Sequence, residues 1–501
     1  MEQWRLIQAL GEIVGPRNVL HQPQQLRAYD CDGFTIERRL PRAVVLPGCT
    51  DEVARVVRLL AENKIPYIPR GAGTCLSGGV VPRGDEVIIG LSRMRRLLEV
   101  DLRNRRATVE AGYVNLRLSQ AVEGEGLYFA PDPSSQSACT IGGNVAENSG
   151  GPHCLKYGVT TNHVTGVKYV TWDGEILELG GKALDLPGYD LVGLLTGSEG
   201  TMGIVTEITV KLLRRPQGVK TVLALFDSVV EASRAVSGII AAGIVPAALE
   251  MMDRTAIMAV ERGNFPVGYP EGQEAVLLME VDGLMAGLEE QAAAMEAICR
   301  EAGCTAVQTA RTDEERARWW NNRKTAFGAC GKLAPNYYVQ DGVIPRSRLA
   351  EVLAEVDDIG KRYGLIIANV FHAGDGNLHP VICYDEKVPG MVEKVVQAGS
   401  EILAACVRAG GSISGEHGIG IEKLEDMHLV FGPHDLAVQQ AIHDVLDPCD
   451  LSNPGKVLPT PGKCAEVKGR AVEPGQVALA QDRRCAHRNG SSGRRYRPRR
   501  P

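Results

Sequence analysis

No Cys-x-x-Cys pair occurs in the 501 residues, although thirteen cysteines are present. Thiols scattered in this way encode neither an iron–sulfur cluster nor a zinc ribbon, since both need closely spaced ligands. Long apolar runs are missing too. The most apolar stretch, Val236–Met252, is interrupted by glycines and Pro246 and falls short of a bilayer span. Met1–Gly11 carries Glu2 and Arg5 and has no long apolar core, so no secretory leader is expected there and a cytoplasmic chain with reduced thiols is. There is no basic excess: 55 Lys and Arg face 61 Asp and Glu, for a formal charge of −6. Residues 465–501 alone carry +7, which leaves −13 on the body. An acidic body argues against a nucleic-acid groove, and the basic end, with Arg494-Arg495-Tyr496-Arg497-Pro498-Arg499-Arg500, reads as a solvated disordered tail.

The two common phosphate-loop signatures are absent as well. Ile65–Ile68 reads as a short strand running into Pro69-Arg70-Gly71-Ala72-Gly73-Thr74-Cys75-Leu76-Ser77-Gly78-Gly79. A Rossmann fingerprint needs glycine where Leu76 stands, and a Walker loop needs Lys-Ser/Thr where Gly79-Val80 stands. Such a loop still turns several backbone N–H groups toward one point and lets a pyrophosphate approach the main chain. A second glycine-rich stretch, Cys139–Gly151, makes a large, extended ligand the expectation.

Along the chain, Trp4–Leu10 predicts a helix, Ala43–Leu46 a strand, and Thr50 the cap of a helix with Asp51 and Glu52 in its first turn and Val53, Val56, Val57 and Leu60 as its apolar stripe. Asp173-Gly174 between two alternating runs predicts a hairpin. Gly203–Leu213 alternates again and ends at Pro216, the expected domain boundary. From Val219 to about Tyr384 strands and helices alternate in a new block, which implies an α+β domain resting over the first; helical segments from Met391 to Leu446 return the chain.

Phe371-His372-Ala373-Gly374-Asp375-Gly376-Asn377-Leu378-His379 sets two imidazoles on either side of a tight turn, and Gly415-Glu416-His417-Gly418 adds a carboxylate and a third imidazole. Two histidines and one carboxylate suit a divalent zinc, manganese or iron ion with positions open for substrate. One buried histidine by itself would imply only a hydrogen bond; the set implies a site.

Pro69–Gly79, Pro131-Asp132-Pro133, Thr140–Gly151 and Gly197–Thr206 resemble the FAD-binding segments of the vanillyl-alcohol-oxidase-type, or PCMH-type, flavoproteins. With the C-terminal motifs, the chain from about Tyr29 to about Pro459 is similar to the FAD-linked large subunits of bacterial glycolate oxidases, in the D-2-hydroxy-acid dehydrogenase branch. The resemblance implies an α+β fold. It places a helical lead-in at 1–37, a two-subdomain PCMH-type FAD-binding domain at 38–216, a ferredoxin-like cap, or substrate, domain at 217–420, a helical return at 421–460 and the tail at 461–501.

It implies FAD contacts at Pro69, Arg70, Gly71, Ala72, Gly73, Thr74, Ser77, Gly78, Pro131, Asp132, Thr140, Gly142, Gly143, Asn144, Ala146, Asn148, Ser149, Tyr157, Gly158, Glu199, Gly203, Ile204, Val205 and Asn453. Metal ligands fall on His372, His379 and Glu416, the active-site base on His417, and an arginine that clamps the substrate carboxylate on Arg323. The hydroxyglutarate enzymes carry a lysine near Val339; its absence tilts the expectation toward glycolate or D-lactate. No histidine stands in the first loop, so the FAD is expected to be noncovalent, with Cys75 either an alternative attachment point or a structural thiol. The implied partners are a smaller FAD-domain subunit and an iron–sulfur subunit that passes electrons toward membrane quinones. Two other classes stand beside this: a non-catalytic FAD-binding electron relay, which would lack the histidine motifs, and a metallohydrolase with structural glycine loops.

Overall fold

The computed structural model describes residues 1–183 and 187–459; the basic tail discussed above lies outside the described residues. Ala43–Val45, Val87–Gly90 and Tyr67–Arg70 form a small parallel sheet, with Val19–Leu20 antiparallel on its edge. The crossover into Tyr67–Arg70 is the helix Thr50–Glu62, which buries Val53, Val56, Val57 and Leu60 against the sheet. Thr50 does not cap it. Cys49 occupies the cap position, and the Thr50 hydroxyl turns to Thr206 Oγ1 at 3.0 Å in the neighbouring sheet. Glu52 instead reaches back to the Gly48 N–H at 2.7 Å. A buried inter-sheet contact outcompetes the local cap.

A second, antiparallel sheet runs in the order Leu97–Asp101, Arg106–Glu110, Ile204–Lys211, Val164–Val170, Ile176–Gly180. The Asp173-Gly174 hairpin joins its last two strands. Ile204–Lys211 alternates strictly between buried and half-buried residues, as its sequence pattern requires. One apolar core, from Leu6 to Leu212 with Leu451, spans both sheets.

The next block contains two strand–helix–strand units. Gly218–Phe226, the helix Val229–Ala241 and Ala248–Asp253 make the first; Ala275–Gly283, the helix Leu288–Ala302 and Ala306–Thr309 make the second. Their strands interleave antiparallel in the order 306–309, 218–226, 275–283, 248–253, a ferredoxin-like arrangement. Ile366–His372 pairs with Ala248–Asp253 and extends the sheet toward Pro380–Tyr384 and Asn336–Val339. Helices cover both faces, so Leu277, Met279 and Val281 enter one core while Val276 and Leu278 enter another. That explains why these antiparallel strands read as unbroken apolar runs.

After the helix Pro433–Leu446 the chain returns to the first sheets. Asn453 Nδ2 donates to the carbonyls of Gly79 and Glu199, and Ser452 Oγ to that of Gly200. Among the described residues, no helix is long and apolar enough to cross a membrane.

Candidate active site

The strand Tyr67–Arg70 delivers the first glycine loop into a cavity of about 390 Å³ between the two halves of the molecule. Gly73 sits at φ +71°, and a Cβ there would lie 2.3 Å from the Arg70 guanidinium, so only glycine lets the loop fold over that side chain. Among the described residues, none of the main-chain N–H groups from Ala72 to Gly79 donates to another protein group. Buried main-chain donors are almost always paired, so a loop of free donors on a cavity wall fits an anionic ligand such as the pyrophosphate of FAD. The Cys75 thiol donates to Asp32 Oδ2 at 3.0 Å. Burial, with the Asp32 charge beside it, pushes that thiol well up, away from the reactive thiolate.

The second glycine stretch works differently. The N–H groups of Ile141, Gly142, Gly143 and Asn144 are consumed by Tyr113 O, Ala111 O, Thr140 Oγ1 and Thr140 O. A Cβ on Gly142 would meet Ala111 at 2.6 Å, so this glycine serves close packing. The helix Ile141–Glu147 then turns Asn144, Ala146 and Glu147 toward the cavity.

Pro69 to Thr74, Thr140, Gly142, Gly143, Asn144, Ala146, Ser149, Glu199, Gly203, Ile204 and Val205 all line this cavity. The other expected FAD contacts have different neighbours. Ser77 Oγ donates to His417 O, Gly78 packs on Ile421, and Pro131 O accepts from Asn115. Asp132 pairs with His153, Asn148 accepts the Thr161 N–H, and Gly158 packs on Asn162. Tyr157 donates its hydroxyl to Asp282 of the cap at 2.7 Å, and Asn453 ties the loops together.

From the cap, Lys324, Phe327, Tyr337, Val339, Glu416 and His417 close the same cavity. His372 ends its strand and pairs with Asn377 across the turn, which carries His379 back beside it; the two rings stand 5.1 Å apart at 85°. Nε2 of each imidazole lies 3.3 Å from Glu416 Oε1. These three ligand atoms lie within 4.8 Å of one another, and both ring nitrogens of the buried His379 lack a hydrogen-bond partner. Two imidazoles and a carboxylate with an unsatisfied nitrogen fit a divalent zinc, manganese or iron ion. His372 Nδ1 faces Glu250 Oε1 at 2.7 Å, leaving Nε2 to point at the site, the outer-layer arrangement typical of metal-binding histidines. Burial works to raise the Glu416 carboxyl, but His372, with His379 and His417, outweighs it and holds it at about 2.

Two residues of this centre were not singled out from the sequence. Glu250 lies in an apolar strand and bridges His372 to Arg323, whose Nη2 is 2.5 Å from Glu250 Oε2. A charge inside an apolar strand needs a partner, and that was the available signal. Asp341 Oδ2 accepts the N–H groups of Gly415, Glu416 and His417 at 2.8–3.1 Å, and so shapes the loop that carries Glu416 and His417. Arg323 is 4% exposed and stands behind Glu250, whereas the adjacent Lys324 reaches the cavity wall. The His417 ring stacks on His379 at 4.8 Å. Burial lowers its imidazole to about 4 against the pull of Asp341, so it is uncharged at neutral pH.

The profile of the FAD binding domain family matches residues 41–180, and that of the C-terminal domain of FAD linked oxidases matches residues 215–457. The chain is 44% identical over 481 residues to the glycolate oxidase subunit GlcD of Escherichia coli, covering 96% of each chain. It is 39% identical to GlcD of Bacillus subtilis, over 90% of this chain and 96% of that one. Against a D-lactate dehydrogenase of Anaerostipes hadrus the identity is 34%, over 89% and 95%. Among solved structures, p-cresol methylhydroxylase superposes with a TM-score of 0.74 at 17% identity, over 91% of this chain and 97% of the other, a likeness of fold. With a glycine loop suited to a dinucleotide facing a histidine-rich cap, and both family profiles matched in order, the chain belongs to the FAD-linked oxidases and is an FAD-dependent oxidoreductase.

Proposed function

We propose that the protein oxidises a small 2-hydroxy acid, glycolate or D-lactate, to the 2-oxo acid. The observation that carries this reading is one cavity shared by the first glycine loop and by Glu416 and His417. The bound FAD supplies the two-electron acceptor, and a divalent ion on His372, His379 and Glu416 supplies a Lewis acid beside the substrate hydroxyl. His417, uncharged at neutral pH, accepts the hydroxyl proton. Asp341 holds the backbone of His417 and Glu416, which keeps base and ligand in a constant relation. Lys324, on the cavity wall, supplies the cation for the substrate carboxylate. Arg323, expected from the resemblance to clamp that carboxylate, is instead buried off the cavity and engaged by Glu250, so its role is to hold Glu250. The similarity to subunits of glycolate oxidase supports an assembly of several subunits; in this reading the others are a smaller FAD-domain subunit and an iron–sulfur subunit that accepts the electrons.

The test is anaerobic addition of glycolate or D-lactate to the purified yellow protein. Bleaching of the flavin absorbance is expected; an unchanged spectrum with every 2-hydroxy acid sinks the proposal. His417→Ala is expected to retain FAD and slow bleaching at least about 100-fold. Lys324→Met is expected to raise KM about tenfold with kcat nearly unchanged, since it removes substrate binding and not chemistry.

A further inference from the structure

Two buried carboxylates meet where the flavin-side loops touch the base loop. Glu199 sits in a tight turn at φ +51°, a conformation that a non-glycine residue adopts only when its surroundings demand it. Its Oε1 accepts the Ile419 N–H at 2.6 Å and its Oε2 the Gly420 N–H at 2.7 Å. Ser77 adds to the same seam, with its hydroxyl on His417 O and its carbonyl on the N–H groups of Ile421 and Glu422. A flavin-side carboxylate therefore grips the cap segment that begins with His417.

Glu147 ends the helix Ile141–Glu147 and lines the cavity, but its Oε2 is shut off from solvent and has no hydrogen-bond partner. It shares one niche with Glu199: a Cβ on Gly418 would lie 2.7 Å from Glu147 Oε2 and 2.6 Å from Glu199 Oε1. On the other side, a Cβ on Gly79 would lie 3.1 Å from Glu147 Oε1 and 3.7 Å from Glu199 Oε2. The charges that face Glu147 are Glu199, Asp32 and Lys423. Those that face Glu199 include Lys423 and Lys456, beside the two N–H donors. Lys423 also faces Asp341, at 3.5 Å, and donates to Gly418 O at 3.0 Å. Asp32, in turn, is engaged by the Cys75 thiol and by the N–H groups of Phe34 and Val80.

We propose that Glu147 and Glu199 are an acid pair that keeps one proton, and that this proton lets the pair hold His417 in place for oxidation of the 2-hydroxy acid. The proposal rests on the reading of His417 as the base. The assignment within the pair follows from the partners. Glu199, with two N–H donors, carries the charge; Glu147, with none at Oε2, carries the proton. Burial, then the Glu199 and Asp32 charges, push the Glu147 carboxyl well up, which agrees with this division. Two negative carboxylates pressed on Gly418 would repel each other and loosen the grip on Ile419 and Gly420, and His417 precedes that grip by two residues. Both glutamates are positioning residues here.

The experiment combines infrared titration of the FAD-loaded protein with kcat and KM profiles across pH. In the parent protein a C=O stretch of protonated carboxylic acids is expected at neutral pH; it should lose the Glu147 component in Glu147→Gln, leaving that of groups such as Glu422, which burial raises to about 7, and the lost component should titrate away at alkaline pH together with kcat. Glu147→Gln, a neutral isostere, is expected to lose that alkaline fall in kcat. Glu199→Gln is expected to lower kcat per bound FAD about tenfold or more with KM nearly constant. No loss of carboxylic-acid intensity at neutral pH in Glu147→Gln, or an alkaline limb unchanged in that variant, overturns the acid pair; full kcat in Glu199→Gln overturns the positioning role. Because the difference between parent and Glu147→Gln spectra needs no substrate, it reads the pair even if no 2-hydroxy acid is oxidised, an outcome that would count against the base reading alone.

Discussion

The two walls of the cavity are built by opposite means. On the flavin side, the loop from Ala72 to Gly79 offers free main-chain N–H groups and little charge. On the cap side, ionisable side chains in series do the work: Arg323 to Glu250, Glu250 to His372, His372 to Glu416, with Asp341 and Lys423 under the loop. A main-chain site needs glycines and tolerates substitution only where there is room for a Cβ. A site made of buried charges tolerates no missing partner, because each charge left over has lost its water. Side-chain deletions should therefore break the cap wall and added Cβ atoms should break the flavin wall.

The largest effect is expected from Glu250→Ala. It leaves Arg323 buried without its counter-ion and frees the His372 ring, so stability should fall by about 3–5 kcal/mol and metal affinity by about 10–100-fold. Denaturant unfolding and metal titration check the two separately, and FAD content should hold at moderate temperature. Next come paired substitutions in the flavin wall. Gly142→Ala drives a Cβ into Ala111 and should cost about 1–3 kcal/mol. Gly143→Ala meets only Thr140 Oγ1, at 3.4 Å, so the fold should be unaffected while FAD dissociates more readily, measured by fluorescence of released flavin. Equal destabilisation by both would erase the distinction between packing and ligand-facing glycines.

The smallest effect concerns the seam between the walls. His153 of the flavin side lies 2.7 Å from Asp132 and 3.5 Å from Glu280 of the cap. Burial disfavours its charge, but Asp132 and Glu280 outweigh that and raise it to about 10. A histidine raised on folding adds stability that is complete below its unfolded value near 6.5 and is lost as pH rises toward 10. Thermal melts between pH 6.5 and 10 should show a progressive fall in stability that is absent in His153→Gln.

The FAD-linked character and the histidine set were legible before any fold was known, because they are local: glycines clustered at loop positions, and imidazoles flanking one tight turn. The apolar stripe of the helix Thr50–Glu62 and the Asp173-Gly174 hairpin were legible for the same reason, as their signals sit within a few residues. Thr50 was misread because its hydroxyl goes to Thr206, more than 150 positions away. Glu250 and Asp341 escaped notice because a lone acid in or between apolar strands signals that a partner exists but not which one, and the partners Arg323, His372 and Gly415 are 73 to 122 positions distant. The two glycine stretches look alike in composition, and nothing local says that one keeps its N–H groups free while the other uses them internally.

By itself the sequence determined which chemical groups the protein owns and where the chain turns, since φ freedom at glycine and the period of apolar residues are properties of neighbouring positions. Only the tertiary structure decided the charge state and the pairing of those groups. Burial and the approach of distant side chains set whether Glu416 is ionised, His417 neutral and Arg323 engaged, and those energies do not exist until the two walls close on one another.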